Sequence, residues 1–246
     1  MQSSPNEYRH HLTLPQNLAG RDFCVGDLHG QFAWLEKAME SLVFDPARDR
    51  LLSVGDLIDR GPESHRALEL LAQPWFFSVR GNHEAIFLEN SDLLEADIAW
   101  LVRAGAEWWL SLDAKAREAL YQAFSKLPFT METDTENGRI GVVHADIPSD
   151  YDWDSFVADL PKNKYLQEYA LWSRHRINQF QNGHPPLPVD GLNLLVVGHT
   201  PVETASCVAN VCFLDSGAAY APAYPTAALS LLQIHPFQKL YSFPPL

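Results

Sequence analysis

The sequence predicts an α/β fold carried by a largely parallel sheet, on three observations. Short apolar runs alternate with helix-like stretches through the first 90 residues, the rhythm of βαβ units. The polar groups closing successive runs are about one unit apart: Asp27 to Asp56 is 29 residues and Asp56 to Asn82 is 26, against roughly 30 for a βαβ unit. Five runs end in side chains able to bind a metal, and open α/β sheets bind ligands beyond the carboxyl ends of their strands.

The elements follow in order. Arg21–Val25 reads as a strand and Gln31–Leu42 as an amphipathic helix. Arg50–Val54 is a strand, Glu63–Leu71 a helix, Trp75–Val79 a strand, and a helix begins at His83 or Glu84. Residues 85–127 carry no strand signal, and Trp100, Leu101, Ala104, Trp108 and Trp109 recur at helical spacing, which reads as core packing. This stretch is predicted to be a mainly helical insertion within one domain spanning 1–246. Strands return at Ile140–Val143, Leu194–Val197, Val211–Leu214 and Ala228–Ile234, and Pro, Gly and Asn make 178–191 a loop.

Composition narrows the function. A 246-residue chain with 46% hydrophobic residues can bury a sizeable core. No apolar run approaches the roughly 18 residues a membrane span needs, and the polar start MQSSPNEYRHHL has no signal-peptide pattern, so a cytoplasmic protein is expected. Cys24, Cys207 and Cys212 form no C-x-x-C pair and are expected to be reduced and mostly buried. A net charge of −13 without a basic block argues against a nucleic-acid partner. An anionic substrate would have to be drawn locally, by metal ions or a few arginines.

The strand ends supply such a place. VGDLHG (25–30) presents Asp27 and His29, SVGDLIDRG (53–61) Asp56, Asp59 and Arg60, and SVRGNHE (78–84) Arg80, Asn82, His83 and Glu84. VVHAD (142–146) presents His144 and Asp146, and VVGHTP (196–201) His199. Singly, an Asp after a strand is ordinarily a turn or cap residue and a His a hydrogen-bonded structural group. Five repetitions of one pattern favour convergence. Asp27, His29, Asp56, Asn82, His144 and His199 offer oxygen and nitrogen donors without sulfur, which suits manganese, iron or zinc in an open catalytic site. Six donors suit two ions, with Asp56 as the bridge, and two-metal sites serve phosphoryl displacement.

GDLHG, GDLIDRG, RGNHE, a later His and GHT, in this order, resemble the metallophosphoesterases of the phosphoprotein phosphatase type. HAD, LWSRHRI, QNG and LDSGA bring the resemblance closest to the bacteriophage lambda and bacterial serine/threonine protein phosphatase group. The likeness spans about 21–234 and implies a calcineurin-like fold, two central sheets packed face to face with helices outside. It implies that Asp27, His29 and Asp56 hold one divalent ion, most plainly Mn2+, and that Asp56, Asn82, His144 and His199 hold the other. It also implies direct attack by a hydroxide shared between them, without a phosphoenzyme. His83 would be the general acid, Asp59 its orienting carboxylate, and Arg60, Arg80 and Arg174 the groups binding phosphate. The expected substrate is a phosphorylated protein or peptide, on serine, threonine or also tyrosine. A symmetrical dinucleoside tetraphosphate hydrolase is the alternative from the same metal core, and a non-catalytic binding module the remote one.

Overall fold

The computed structural model describes residues 10–90, 98–221, 223–224 and 226–246, without the side chains of 98–100. Its strands are β1 (His11–Leu14), β2 (Asp22–Val25), β3 (Arg50–Ser53), β4 (Phe76–Ser78), β5 (Thr130–Thr135), β6 (Gly138–Val143), β7 (Leu194–Val197), β8 (Ser206–Val208), β9 (Val211–Phe213), β10 (Leu229–His235) and β11 (Lys239–Phe243). Its α-helices are α1 (Phe32–Ser41), α2 (Ala67–Leu71), α3 (Asn82–Asn90), α4 (Ile98–Ala104), α5 (Ala114–Ser125), α6 (Trp153–Asp159), α7 (Lys164–Trp172) and α8 (His175–Gln181).

The strands form two sheets, β1-β5-β6-β7-β9-β8 and β11-β10-β2-β3-β4. Within them β2, β3 and β4 run parallel, as do β6, β7 and β9. β10 lies antiparallel to β2, and β5 antiparallel to β6, so each sheet is mixed.

Period-two alternation explains the unbroken apolar runs, because both faces of each sheet are covered. Cys24, Leu52, Val142, Leu194 and Val196 point between the sheets, where they pack with Met131, Ile140, Cys212 and Leu232. Their neighbours Phe23, Val25 and Leu51 face outward onto Phe32, Trp34, Leu35 and Ala38 of α1. On the other sheet Val143, Leu195 and Val197 face outward onto Trp153, Phe156, Leu166 and Ile177 from α6, α7 and α8.

The hydrophobic pattern did not disclose β1, β5, β8 or β11. β5 reads TMETDT, yet it pairs with β1 and β6. Its buried Thr130 and Thr133 are satisfied by His11 (Nδ1 to Oγ1, 3.0 Å) and Arg50 (Nη2 to Oγ1, 3.2 Å). The cysteine expectation needs correction. Cys207 and Cys212 face each other across the β8–β9 hairpin, Cα atoms 4.0 Å apart, and are joined in a disulfide; Cys207 is exposed, and Cys24 alone is a free, buried thiol. Hairpin register brings residues five apart face to face, a proximity that a C-x-x-C search does not detect.

Of the predicted helical stretch 85–127, α3, α4, a 3-10 turn at Glu107–Ser111 and α5 are described, while 91–97 and the Trp100 side chain lie outside the described residues. Among the described residues, no helix is long and apolar enough to cross a membrane.

Candidate active site

Parallel pairing puts the ends of β2, β3 and β4 side by side, and those of β6 and β7 opposite them on the facing sheet. The structure thereby gathers all six sequence-predicted donors. The amide N–H of His199 donates to both carboxylate oxygens of Asp27 at 3.1 Å. Asn82 Oδ1 lies 2.9 Å from His144 Nε2 and 2.9 Å from His199 Nδ1. Asp56 stands between two groups: its Oδ2 is 3.4 Å from His29 Nε2, and its Oδ1 is 3.5 Å from His144 Nε2.

The local backbone is bent to achieve this. Among the described residues seven non-glycine residues have φ in the left-handed region, and five are His29, Asp56, Asp59, Arg60 and His199. Such conformations cost of order 1–3 kcal/mol each and collect at functional sites. Two glycines are required by close approach. A Cβ on Gly81 would strike the carboxylate and backbone nitrogen of Asp56, and one on Gly198 the carboxylate of Asp27. Glu84 gathers the strained turns from beneath. Buried at the start of α3, it accepts the N–H groups of Asp56 (3.0 Å), Leu57 (2.8 Å) and Gly81 (2.8 Å).

The donor chemistry fits cations. His29 and His144 each aim Nδ1 at a backbone carbonyl, Ile58 and Val54, at 2.8 Å, which commits the proton there and leaves Nε2 a lone pair. Burial lowers the pKa of both rings, and lowers that of His199 to about 3, so the rings are neutral, the form in which imidazole can donate a lone pair to a cation. Two acceptors, His144 Nε2 and Asn82 Oδ1, therefore face each other, and a cation reconciles them. Burial, then the charges of Asp215 and Asp56, push the Asp27 carboxyl well above its usual range, a strain that positive charge relieves. His29, Asp56 and His83 form one group with metal-ligand spacing, and Asp56, His144 and His199 another; Asp56 is common to both.

His83 belongs by distance to the first group, yet its Nδ1 is committed to Asp59 Oδ2 at 2.6 Å, and its Nε2 is 4.0 Å from Asp56 Oδ2. Burial alone would depress His83, but the charge of Asp56 and the bond to Asp59 outweigh it and raise its pKa. The other Asp59 oxygen accepts indole N–H groups from Trp108 (2.7 Å) and Trp109 (2.8 Å). The helical spacing reads both tryptophans as core, and both do pack in or against the cluster of Phe87 and Phe124, while their indole N–H groups turn to Asp59. Their bonds to Asp59 span 49 and 50 residues, and nothing in a local pattern signals them. Asp215 was also missed, although LDSGA ends β9 as the other motifs end their strands. It is buried, it accepts the Gly217 N–H at 2.9 Å, and burial helps push its pKa up to about 6.

The three arginines differ. Arg60 reaches His29 Nε2 with Nη1 at 2.9 Å, and its guanidinium lies over Tyr220, 5.3 Å from the ring centroid. Arg80 donates from Nη2 to the carbonyls of Ser125 (2.9 Å) and Leu127 (3.2 Å) and lies over the ring of Phe129. Arg174 is exposed just before α8, and its charge acts on His144, His199 and Asp215.

Residues 23–222 match the family described as calcineurin-like phosphoesterases. Serine/threonine-protein phosphatase 1 of Salmonella typhimurium is 37% identical over 200 residues, 80% of this chain and 86% of the relative. Serine/threonine-protein phosphatase 2 of Escherichia coli is 36% identical over 197 residues, 78% of this chain and 85% of the relative. A symmetrical bis(5'-nucleosyl)-tetraphosphatase of Dechloromonas aromatica is 41% identical over 68 residues, 27% of this chain and 25% of the relative. Among solved structures, one provisionally described as a diadenosine tetraphosphatase superposes with a TM-score of 0.68 at 25% identity, covering 97% of this chain and 99% of its own. A protein serine/threonine phosphatase of Saccharomyces cerevisiae shares the fold, with a TM-score of 0.64 at 14% identity over 97% of this chain and 84% of its own. Members of the matched family work with a pair of divalent metal ions, for which the residues gathered around Asp56 have the right donors. Matched over residues 23–222, the chain belongs to the calcineurin-like phosphoesterases and is a metal-dependent phosphoesterase.

Proposed function

We propose that the protein removes phosphate from serine and threonine residues of proteins, and also from tyrosine, using two manganese ions in the cytoplasm. The carrying observation is the pairing of two donor groups through Asp56 beside the Asp59–His83 couple, in a chain akin to protein phosphatases along most of its length. Asp27, His29 and Asp56 would hold one ion, and Asp56, Asn82, His144 and His199 the other. Bound there, the ions supply Lewis-acid activation of water and of the phosphoryl oxygens.

The chain's own side chains do the rest. His83, made more basic by Asp56 and Asp59, carries the proton that the departing alkoxide takes up. Asp59 fixes the ring through Nδ1, so Nε2 is the atom that delivers it. Arg60 and Arg174 bind phosphoryl oxygens at the open side, and Arg80 joins them while bracing the end of α5. In this reading residues 85–127 are a helical insertion within a single domain, and Trp108 and Trp109 are its contribution to the site.

The test is phosphate release from a phosphoserine peptide against added Mn2+, with and without EDTA. Manganese-dependent release abolished by the chelator is expected; release indifferent to both overturns the metal assignment. The second reading, hydrolysis of symmetrical dinucleoside tetraphosphates, is favoured by the whole-chain likeness to the structure described as a diadenosine tetraphosphatase. Faster turnover of diadenosine tetraphosphate than of phosphopeptides would replace the first reading with this one.

A further inference from the structure

Arg176 is an unusual residue. It is 1% exposed and lies two positions after the exposed Arg174. Its Nη1 bonds Asp146 Oδ1 and the carbonyl of Ile147, and its Nε donates to the carbonyl of Leu187 at 3.0 Å. Its backbone N–H donates to Asp146 Oδ2 at 3.1 Å, while Asp146 Oδ1 also accepts the Ile147 N–H at 2.8 Å. Asp146, 3% exposed, thus grips both the side chain and the main chain of Arg176.

A buried pair of this kind is a weak source of stability, since desolvation of two charges offsets most of their attraction. What it fixes is position. Asp146 lies two residues beyond the donor His144, and Arg176 two residues beyond Arg174, so the pair ties the end of β6 to the segment carrying that arginine. The same segment is seated at its other end, where the Trp172 ring meets His199 edge-on with centroids 5.9 Å apart. Between these two anchors Arg174 makes no side-chain hydrogen bond among the described residues, and its charge falls on His144, His199 and Asp215.

We propose that Asp146 is a positioning residue for Arg174: through its two-point hold on Arg176 it fixes the exposed arginine's segment between the end of β6 and the Trp172–His199 contact. This rests on the phosphatase reading for its kinetic consequence, but not for its structural one. A guanidinium fork gains from binding two phosphoryl oxygens at once only when its backbone is fixed, and a misplacement of about 1 Å can cost on the order of a hundredfold.

The experiment is a double-mutant cycle on the manganese-loaded full chain, with Asp146→Asn, Arg174→Ala and the combination. Its readouts are kcat and KM on a phosphopeptide, metal content, and amide hydrogen exchange across 173–178. Asp146→Asn is expected to lower kcat/KM about tenfold or more, raising KM, with metal content unchanged. In the Arg174→Ala background it is expected to cost less than about twofold, because the two act through one group. Exchange across 173–178 is expected to quicken by about tenfold or more. Additive losses, or metal lost on Asp146→Asn, would overturn the proposal, since either means that Asp146 acts through His144 or the fold. If Asp146→Asn does not fold, Arg176→Lys keeps the buried charge but loses the fork and runs the same cycle, judged in the same way. A wild-type chain inactive on every phosphoester would sink the phosphatase reading alone; the exchange measurement then decides this one, and unchanged exchange overturns it.

Discussion

Trp108→Phe isolates one contact in the proposed proton-donor unit. The substitution keeps an aromatic ring in a partly exposed position and removes the indole N–H that reaches Asp59 Oδ1 at 2.7 Å. Burial already pushes the Asp59 carboxyl upward, and the bonds from His83, Trp108 and Trp109 pull it back. Loss of one donor moves it further up, toward a neutral acid that no longer holds a charged His83. A hydrogen bond to a charged group is worth about 1.5–3 kcal/mol. Trp109 still serves the same oxygen at 2.8 Å, so the lower end applies. About 1.5 kcal/mol corresponds to roughly tenfold in rate. The assay compares kcat for phenyl phosphate, whose leaving group needs a proton, with kcat for p-nitrophenyl phosphate, whose leaving group does not. About a tenfold fall on the first and less than about twofold on the second is expected. Equal losses on both substrates would refute the reasoning, because they would place the defect in the metal cluster or the fold.

Glu84→Ala strips three buried N–H groups of their acceptor, at about 1 kcal/mol or more each. The expected drop in melting temperature is about 6–12 °C, read by calorimetry. Gly81→Ala places a methyl group against the Asp56 carboxylate, so the purified variant is expected to carry less metal than the wild type by elemental analysis. Burial works against the charge of Asp49, but its hydrogen bonds with Arg21, the ion pair at 2.6 Å among them, outweigh that and hold its pKa below the usual carboxylate value. This stabilisation is complete above the unfolded value of about 3.9 and fades as pH falls through the lower folded value. Asp49→Asn is therefore expected to flatten the dependence of melting temperature on pH below about pH 4, and an unchanged slope would assign that dependence to other carboxylates.

What the sequence determined by itself was the set of strand ends. Apolar runs closing in Asp27, Asp56, Asn82, His144 and His199 are local patterns, and the spacing of a βαβ unit turns three of them into neighbours on one sheet. The strand β5 was illegible because its buried threonines are satisfied by His11 and Arg50 from distant segments, so its sequence lacks the hydrophobic mark of burial.

Only the tertiary structure decided how the donor cluster is held. Trp108 and Trp109 find Asp59 across 49 and 50 residues, Asp146 finds Arg176 across 30, and Cys207 meets Cys212 through hairpin register. Arg174 and Arg176 are indistinguishable as letters, yet one is exposed and the other is buried against a carboxylate. Periodicity reports which face of an element is apolar. It does not say which polar side chain from another element will meet that face, because the meeting depends on the packing of the two sheets and the helices that cover them.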